Sequence, residues 1–149
     1  MTYYGTKTWY KGVLYDSKAE AAFAKYLDYL LSKGLIKWWK RQWRFQVDDS
    51  SNKRYVIIAD FLVMTDREEV WEVKRGQYTD EFIYKSQLWL QIYPNFPYYV
   101  FEPTATGWSK TPLKEFIKQY QYAQDTGKQY TWWEIKLSEW FYKLASKIV

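Results

Sequence analysis

The sequence predicts an α/β protein in which a central mixed β-sheet is flanked by helices and followed by a helical C-terminal extension. Three observations carry this. An apolar stripe of helical period follows Asp16-Ser17, three β-like runs lie between Ile36 and Lys74, and a capped helix then leads to a short apolar strand and further helices. With 149 residues, 48% of them hydrophobic and only 6 Gly and 4 Pro, a single domain over 1–149 with a real core is the default.

In chain order, Lys18–Lys33 reads as a helix with Phe23, Tyr26, Leu27, Leu30 and Leu31 on one face and Lys33-Gly34 as its stop. Ile36–Val47 reads as a strand and Asp48–Asn52 as a turn. Arg54–Met64 is an almost unbroken apolar run, the pattern of a central strand covered on both faces, interrupted by Asp60. Glu69–Lys74 alternates as a further strand. Thr79-Asp80-Glu81 caps a helix that Pro94 ends after Tyr93, and Pro97–Phe101 is a short strand. Thr111-Pro112 caps a helix to about Asp125. A last helix opens at Thr131 with Trp133, Leu137, Trp140, Phe141, Leu144 and Ile148 on one stripe.

Composition narrows the chemistry. There is no Cys, which removes disulfides and thiolate sites, and no His, which removes imidazole bases and His-ligated zinc. Catalysis would have to use carboxylates, Lys, Tyr, Ser/Thr and a hard metal ion. The glycines are too scattered for a phosphate-cradling loop, so kinase and dehydrogenase readings drop out. No apolar run reaches membrane-spanning length and the first residues lack a signal-peptide layout, so no membrane partner and a cytoplasmic location are expected.

The net charge of +5 is unevenly spread: residues 33–54 hold seven basic and two acidic side chains, residues 55–109 four and eight, residues 110–149 seven and four. An acidic middle between basic flanks suits a protein that grips a polyanion and gathers carboxylates where a cation neutralises them. In Lys37-Trp38-Trp39-Lys40-Arg41-Gln42-Trp43-Arg44-Phe45, cations and rings interleave as in surfaces that contact phosphates and stack on bases. This makes Lys37, Lys40, Arg41 and Arg44 candidate phosphate contacts, with Trp38, Trp39 or Trp43 as stacking groups. The alternative is a strand with Trp on its core face and charged stems covering the other.

Asp60 sits in the most hydrophobic stretch, where an unpaired charge costs several kcal/mol. Glu72 and Lys74, two apart on the next strand, project from one face. If the strands pair as a hairpin, these side chains converge or splay. Converged, two oxygen ligands, a backbone carbonyl and waters suit Mg²⁺, and the ammonium orients an attacking water. The alternative is an Asp60–Lys74 ion pair with Glu72 on an exposed edge. Glu20 fits a capping box with Ser17, yet stands three and seven residues before Phe23 and Leu27, on the face directed to the sheet. The two roles are compatible.

Asp16-Ser17-Lys18-Ala19-Glu20, Ile58-Ala59-Asp60-Phe61 and Trp71-Glu72-Val73-Lys74-Arg75-Gly76, in that order, resemble the PD-(D/E)XK nuclease superfamily. The look is closest to small phage and viral nucleases, including endonuclease I-type Holliday-junction resolvases and related phage domains. Ala59 stands where the family's PD half has Pro. The resemblance covers about residues 12–101 and implies a restriction-endonuclease-like core, with residues 110–149 as the extension. It implies Asp60, Glu72 and the Val73 carbonyl as ligands of Mg²⁺, with Mn²⁺ as an expected substitute. Lys74 would attend the nucleophilic water, and Glu20 would complete the site directly or through metal-bound water. Lys85 and Gln91 fall where such enzymes carry an auxiliary Lys or Gln, the alternative being an exposed helix face.

The expected activity is therefore that of a metal-dependent endonuclease cutting DNA, with branched or junction DNA as the more specific substrate. A homodimer and, for a viral protein, the host-cell cytoplasm are expected on the resemblance alone. The rival readings are a non-catalytic nucleic-acid-binding protein that keeps the fold and a protein–protein interaction module using its Trp/Tyr surface.

Overall fold

A computed structural model of the protein describes residues 6–74 and 79–125. It has the expected α/β class: a five-stranded mixed sheet with helices on both faces. The chain begins with a small hairpin, β1 (Thr8–Tyr10) and β2 (Val13–Tyr15), followed by α1 (Lys18–Ser32). Strands β3 (Trp38–Asp48), β4 (Arg54–Met64) and β5 (Glu68–Val73) then run antiparallel to one another. Helix α2 (Asp80–Ile92) crosses over to β6 (Tyr98–Thr104), which pairs parallel to β5, and β7 (Gly107–Pro112) and α3 (Leu113–Asp125) complete the described chain. The sheet order is β3-β4-β5-β6-β7. The last helix expected from Thr131 lies outside the described residues.

Helix α1 starts where Ser17 Oγ accepts the Glu20 N–H at 3.1 Å. It ends in a Schellman arrangement, Leu35 N–H to Leu30 O and Gly34 N–H to Leu31 O, with Gly34 at φ +71. Its buried face is Ala21, Phe23, Ala24, Leu27 and Leu30. Leu31, expected on that face, is exposed, because it sits in the last turn of α1, at the end of the covered stripe. Thr79 caps α2 by accepting the Phe82 N–H at 3.1 Å.

Two cores result. On one sheet face α1 and the β1–β2 hairpin enclose Tyr15, Phe23, Leu27, Phe61, Val63, Trp71, Val73 and Phe101. On the other, α2 and α3 cover Val47, Ile57, Ala59, Leu62, Val70, Trp89, Tyr98, Val100 and Phe116. Three strands, β1, β2 and β7, escaped the sequence reading. The β1–β2 turn uses Lys11 and Gly12, both with positive φ, which makes a two-residue hairpin. Strand β7 returns from β6 through the two-residue loop Ala105-Thr106.

The expected full cover of β4 holds for Ile57, Ala59 and Phe61–Val63, while Val56 and Ile58 are exposed. The reason is a reversal of faces. Tyr55, Ile57, Ala59 and then Leu62 face α2, whereas Phe61 and Val63 face α1, so strict alternation breaks at Asp60. Strand β3 reverses too: Trp38, Phe45 and Val47 face α2 while Trp39 faces α1.

Candidate functional site

The site forms at this reversal. The β4–β5 ladder runs from Met64↔Glu68 to Phe61↔Trp71 and stops one step short of Asp60 and Glu72. There the carboxylates replace the missing backbone partners. Asp60 N–H donates to Glu72 Oε2 at 3.1 Å, and Val73 N–H donates to Asp60 Oδ2 at 2.9 Å. Strand β5 meanwhile stays with β6, as Lys74 N–H donates to Phe101 O at 2.9 Å. The result is a notch between β4 and β5 filled by two acidic side chains.

Glu72 is 6% exposed. Its Oε2 also accepts from Tyr98 Oη at 3.4 Å, and its Oε1 lies 3.8 Å from Lys74 Nζ. The Lys74 ammonium sits 4.2 Å from the centroid of the Phe82 ring. This decides the alternative raised by the sequence: Glu72 is buried and faces Lys74, and it is not an exposed edge residue. Glu72, Lys74 and Tyr98 open into a groove of about 280 Å³ between β4 and α2, whose walls include Ile58, Phe82 and Lys85.

Glu20 approaches from the α1 side. Burial pushes its carboxyl up to about 7, the charges of Asp60 and Asp16 add to this, and Arg41 and Lys74 oppose it. Burial likewise raises Asp60, against the Val73 N–H and Lys74. Glu72 is raised well above the carboxylate range by burial and then by Asp60. Burial is the leading cause for all three, so their ionised forms are costly here and a bound cation would lower that cost.

Among the described residues, no three acidic side chains stand close enough together to enclose an ion. The donor set of Asp60 and Glu72 fits Mg²⁺ nonetheless, since this ion is held by one or two carboxylates, keeps several waters and takes substrate phosphate oxygens. Backbone N–H groups hold Asp60 Oδ2 and Glu72 Oε2, and Glu72 Oε1 faces Lys74. The Val73 carbonyl belongs to the same turn of chain.

The other sequence candidates are dispersed. Arg41 stacks on Tyr15, 4.6 Å from its centroid, on the α1 side, where it acts on Glu20. Trp39 Nε1 donates to Asp28 Oδ1 at 3.1 Å, which ties that indole to α1. Lys40 lies 5.1 Å from both the Trp38 and Trp43 rings, and Trp43 is 41% exposed. Lys37 and Arg44 are exposed. Lys85 lines the groove, bonded to Val56 O at 3.2 Å and paired with Glu81 at 3.0 Å. Gln91 is exposed and is not part of the groove's lining. Tyr98 and Phe82 were missed, because a Tyr and a Phe in apolar surroundings carry no signal of a polar task.

Residues 1–102 match a family described as "Protein of unknown function (DUF1064)". The chain belongs to the DUF1064 family. The DUF1064 match contains Glu20, Asp60, Glu72, Lys74 and Tyr98 and ends at Glu102 in β6, so the notch lies within it and β7 and α3 lie beyond it. Comparison with curated proteins and with solved structures gave no match. Among the described residues, no helix is long and apolar enough to cross a membrane.

Proposed function

We propose that this DUF1064 protein is a metal-dependent endonuclease that hydrolyses DNA phosphodiester bonds, with Mg²⁺ as the cofactor and branched or junction DNA as the substrate to try first. One observation carries the reading: Asp60 and Glu72 occupy a break in the sheet ladder, with Lys74 Nζ 3.8 Å from Glu72. Lys74 and buried Glu72 at the mouth of a groove, with half-buried Asp60 beside Glu72, form a donor set for a hard cation and an anionic ester.

A divalent ion bound there supplies Lewis acidity and a water of lowered pKa. Asp60 and Glu72 would hold it, each with its second oxygen fixed by a backbone N–H. Lys74, steadied between Glu72 and the Phe82 ring, would orient the attacking water and balance charge growing on the phosphate. Glu20, raised to about 7 in the metal-free protein, is suited to accept a proton near neutral pH. The overall charge of +5 favours a polyanionic partner.

The test is cleavage of a labelled four-way junction, a matched duplex and a single strand in Mg²⁺ or in EDTA, comparing wild type with Glu72→Ala and Lys74→Ala. Metal-dependent cutting lost in both variants supports the proposal, and the ratio of junction to duplex cutting decides the substrate. Binding without cutting in Mg²⁺ or Mn²⁺ would overturn it in favour of a non-catalytic nucleic-acid-binding protein.

A further inference from the structure

Asp60 lies outside the backbone ladder on both sides. The β3–β4 register pairs Arg41 with Phe61 and Trp43 with Ala59 and skips the position where Gln42 faces Asp60, and the β4–β5 ladder stops before Asp60 meets Glu72. Gln42 has φ +53. The other non-glycine residues with positive φ among those described, Lys11 and Asn52, sit in the β1–β2 turn and in the turn after Asp49, whereas Gln42 is inside an 11-residue strand. A left-handed residue within a strand turns the following side chains to the opposite face, and Trp38 and Phe45, an odd number of residues apart, do share the α2 face.

The two reversals are linked. Register is unbroken on either side of the skipped step, so β4 must reverse where β3 does. With its faces exchanged at Asp60, β4 parts from β5, and the Asp60 N–H takes the Glu72 carboxylate as acceptor.

We propose that Gln42 is a positioning residue: its left-handed backbone, directly across from Asp60, opens the ladder in which Asp60 and Glu72 are held side by side. The side chain of Gln42 is exposed, so the requirement falls on its backbone. This inference rests on the reading of Asp60 and Glu72 as a cation site for its functional consequence, and on the ladder geometry for its structural one. It separates the residues at this position by their tolerance of positive φ. Gly and Asn accept it, and β-branched Val does not.

The experiment compares ¹⁵N-labelled wild type, Gln42→Gly, Gln42→Asn and Gln42→Val by ¹H–¹⁵N correlation spectra, first in EDTA and then with added Mg²⁺. In EDTA the Asp60 and Val73 amides, both donating to carboxylates, are expected to keep their shifts in the Gly and Asn variants and to move in the Val variant. With Mg²⁺, the Val variant is expected to bind at least about tenfold more weakly, the scale seen when a group that orients a ligand is lost, and the Gly and Asn variants to bind as wild type does. Should the Val variant not fold, Gln42→Ala is expected to shift the same two amides by a smaller amount. Unmoved Asp60 and Val73 amides in both the Val and Ala variants would overturn the inference. So would their displacement in the Gly and Asn variants, which would assign the role to the side chain. A wild type that ignores Mg²⁺ would overturn the cation-site reading alone, because the metal-free shifts still decide what Gln42 does.

Discussion

Replacing Glu20 by Gln should stabilise the metal-free protein at alkaline pH and leave it almost unchanged in acid. Burial, then Asp60, then Asp16 lift the Glu20 carboxyl from 4.5 to about 7. A group whose folded-state pKa is raised holds its proton more tightly in the folded protein. Stability is therefore fully present below about 4.5, declines as pH rises, and is lost once pH exceeds about 7. At about 1.36 kcal/mol per pH unit the rise corresponds to roughly 3 kcal/mol. Part of the Glu20 side chain remains in water, and solvent screening brings this to about 1.5 kcal/mol. Gln keeps the backbone N–H that Ser17 Oγ accepts and carries no charge at any pH, so it removes the penalty without removing the cap. Thermal unfolding in EDTA is expected to show Glu20→Gln melting about 3–6 °C above wild type at pH 8, with a gap near zero at pH 4.5. Equal melting temperatures at pH 8 would refute the reasoning, because the ionised Glu20 would then bear no penalty from burial or from its neighbouring carboxylates. An equal gain at both pH values would also refute it by assigning the effect to packing.

Mg²⁺ should raise the melting temperature of wild type far more at pH 8 than at pH 5, since Asp60 and Glu72 both have raised pKa values and their protons compete with the ion; a pH-independent gain would place the ion elsewhere. Tyr98→Phe removes the hydroxyl that donates to Glu72 Oε2 and should cost about 1 kcal/mol in urea unfolding, together with a measurable loss of Mg²⁺ affinity by calorimetry. Phe23→Ala opens the centre of a ring cluster formed with Phe61, Trp71, Phe101 and Trp108 and should cost about 3–5 kcal/mol in the same unfolding assay.

Much of the site was legible because its signals are local. An Asp inside an apolar run, a Glu and a Lys two apart on the next strand, and a Glu at the third position of a capped helix each stand out by position in the chain. The hairpin pairing of β4 and β5 then brings Asp60 to Glu72. Tyr98, Phe82 and Arg41 were less legible as members of the site. Tyr98 reaches Glu72 from a parallel strand 26 residues away, and Arg41 reads as a phosphate contact until its stacking on Tyr15 sets it beside Glu20.

The sequence by itself determined the types of α1, α2, α3 and β3–β6, the stops and caps of α1 and α2, and the identity of the acidic and basic groups available. Each follows from interactions within a few residues: Ser17 on the Glu20 amide, Gly34 at positive φ, Thr79 on the Phe82 amide. Only the tertiary structure decided where the sheet opens. The apolar run of β4 is compatible with an uninterrupted strand, and the alternation of its faces breaks at Asp60, opposite left-handed Gln42 and where β5 leaves to follow β6. Whether a buried carboxylate becomes an isolated cost or half of a donor pair depends on such neighbours in other strands, since charges interact through space over distances that the order of residues does not encode.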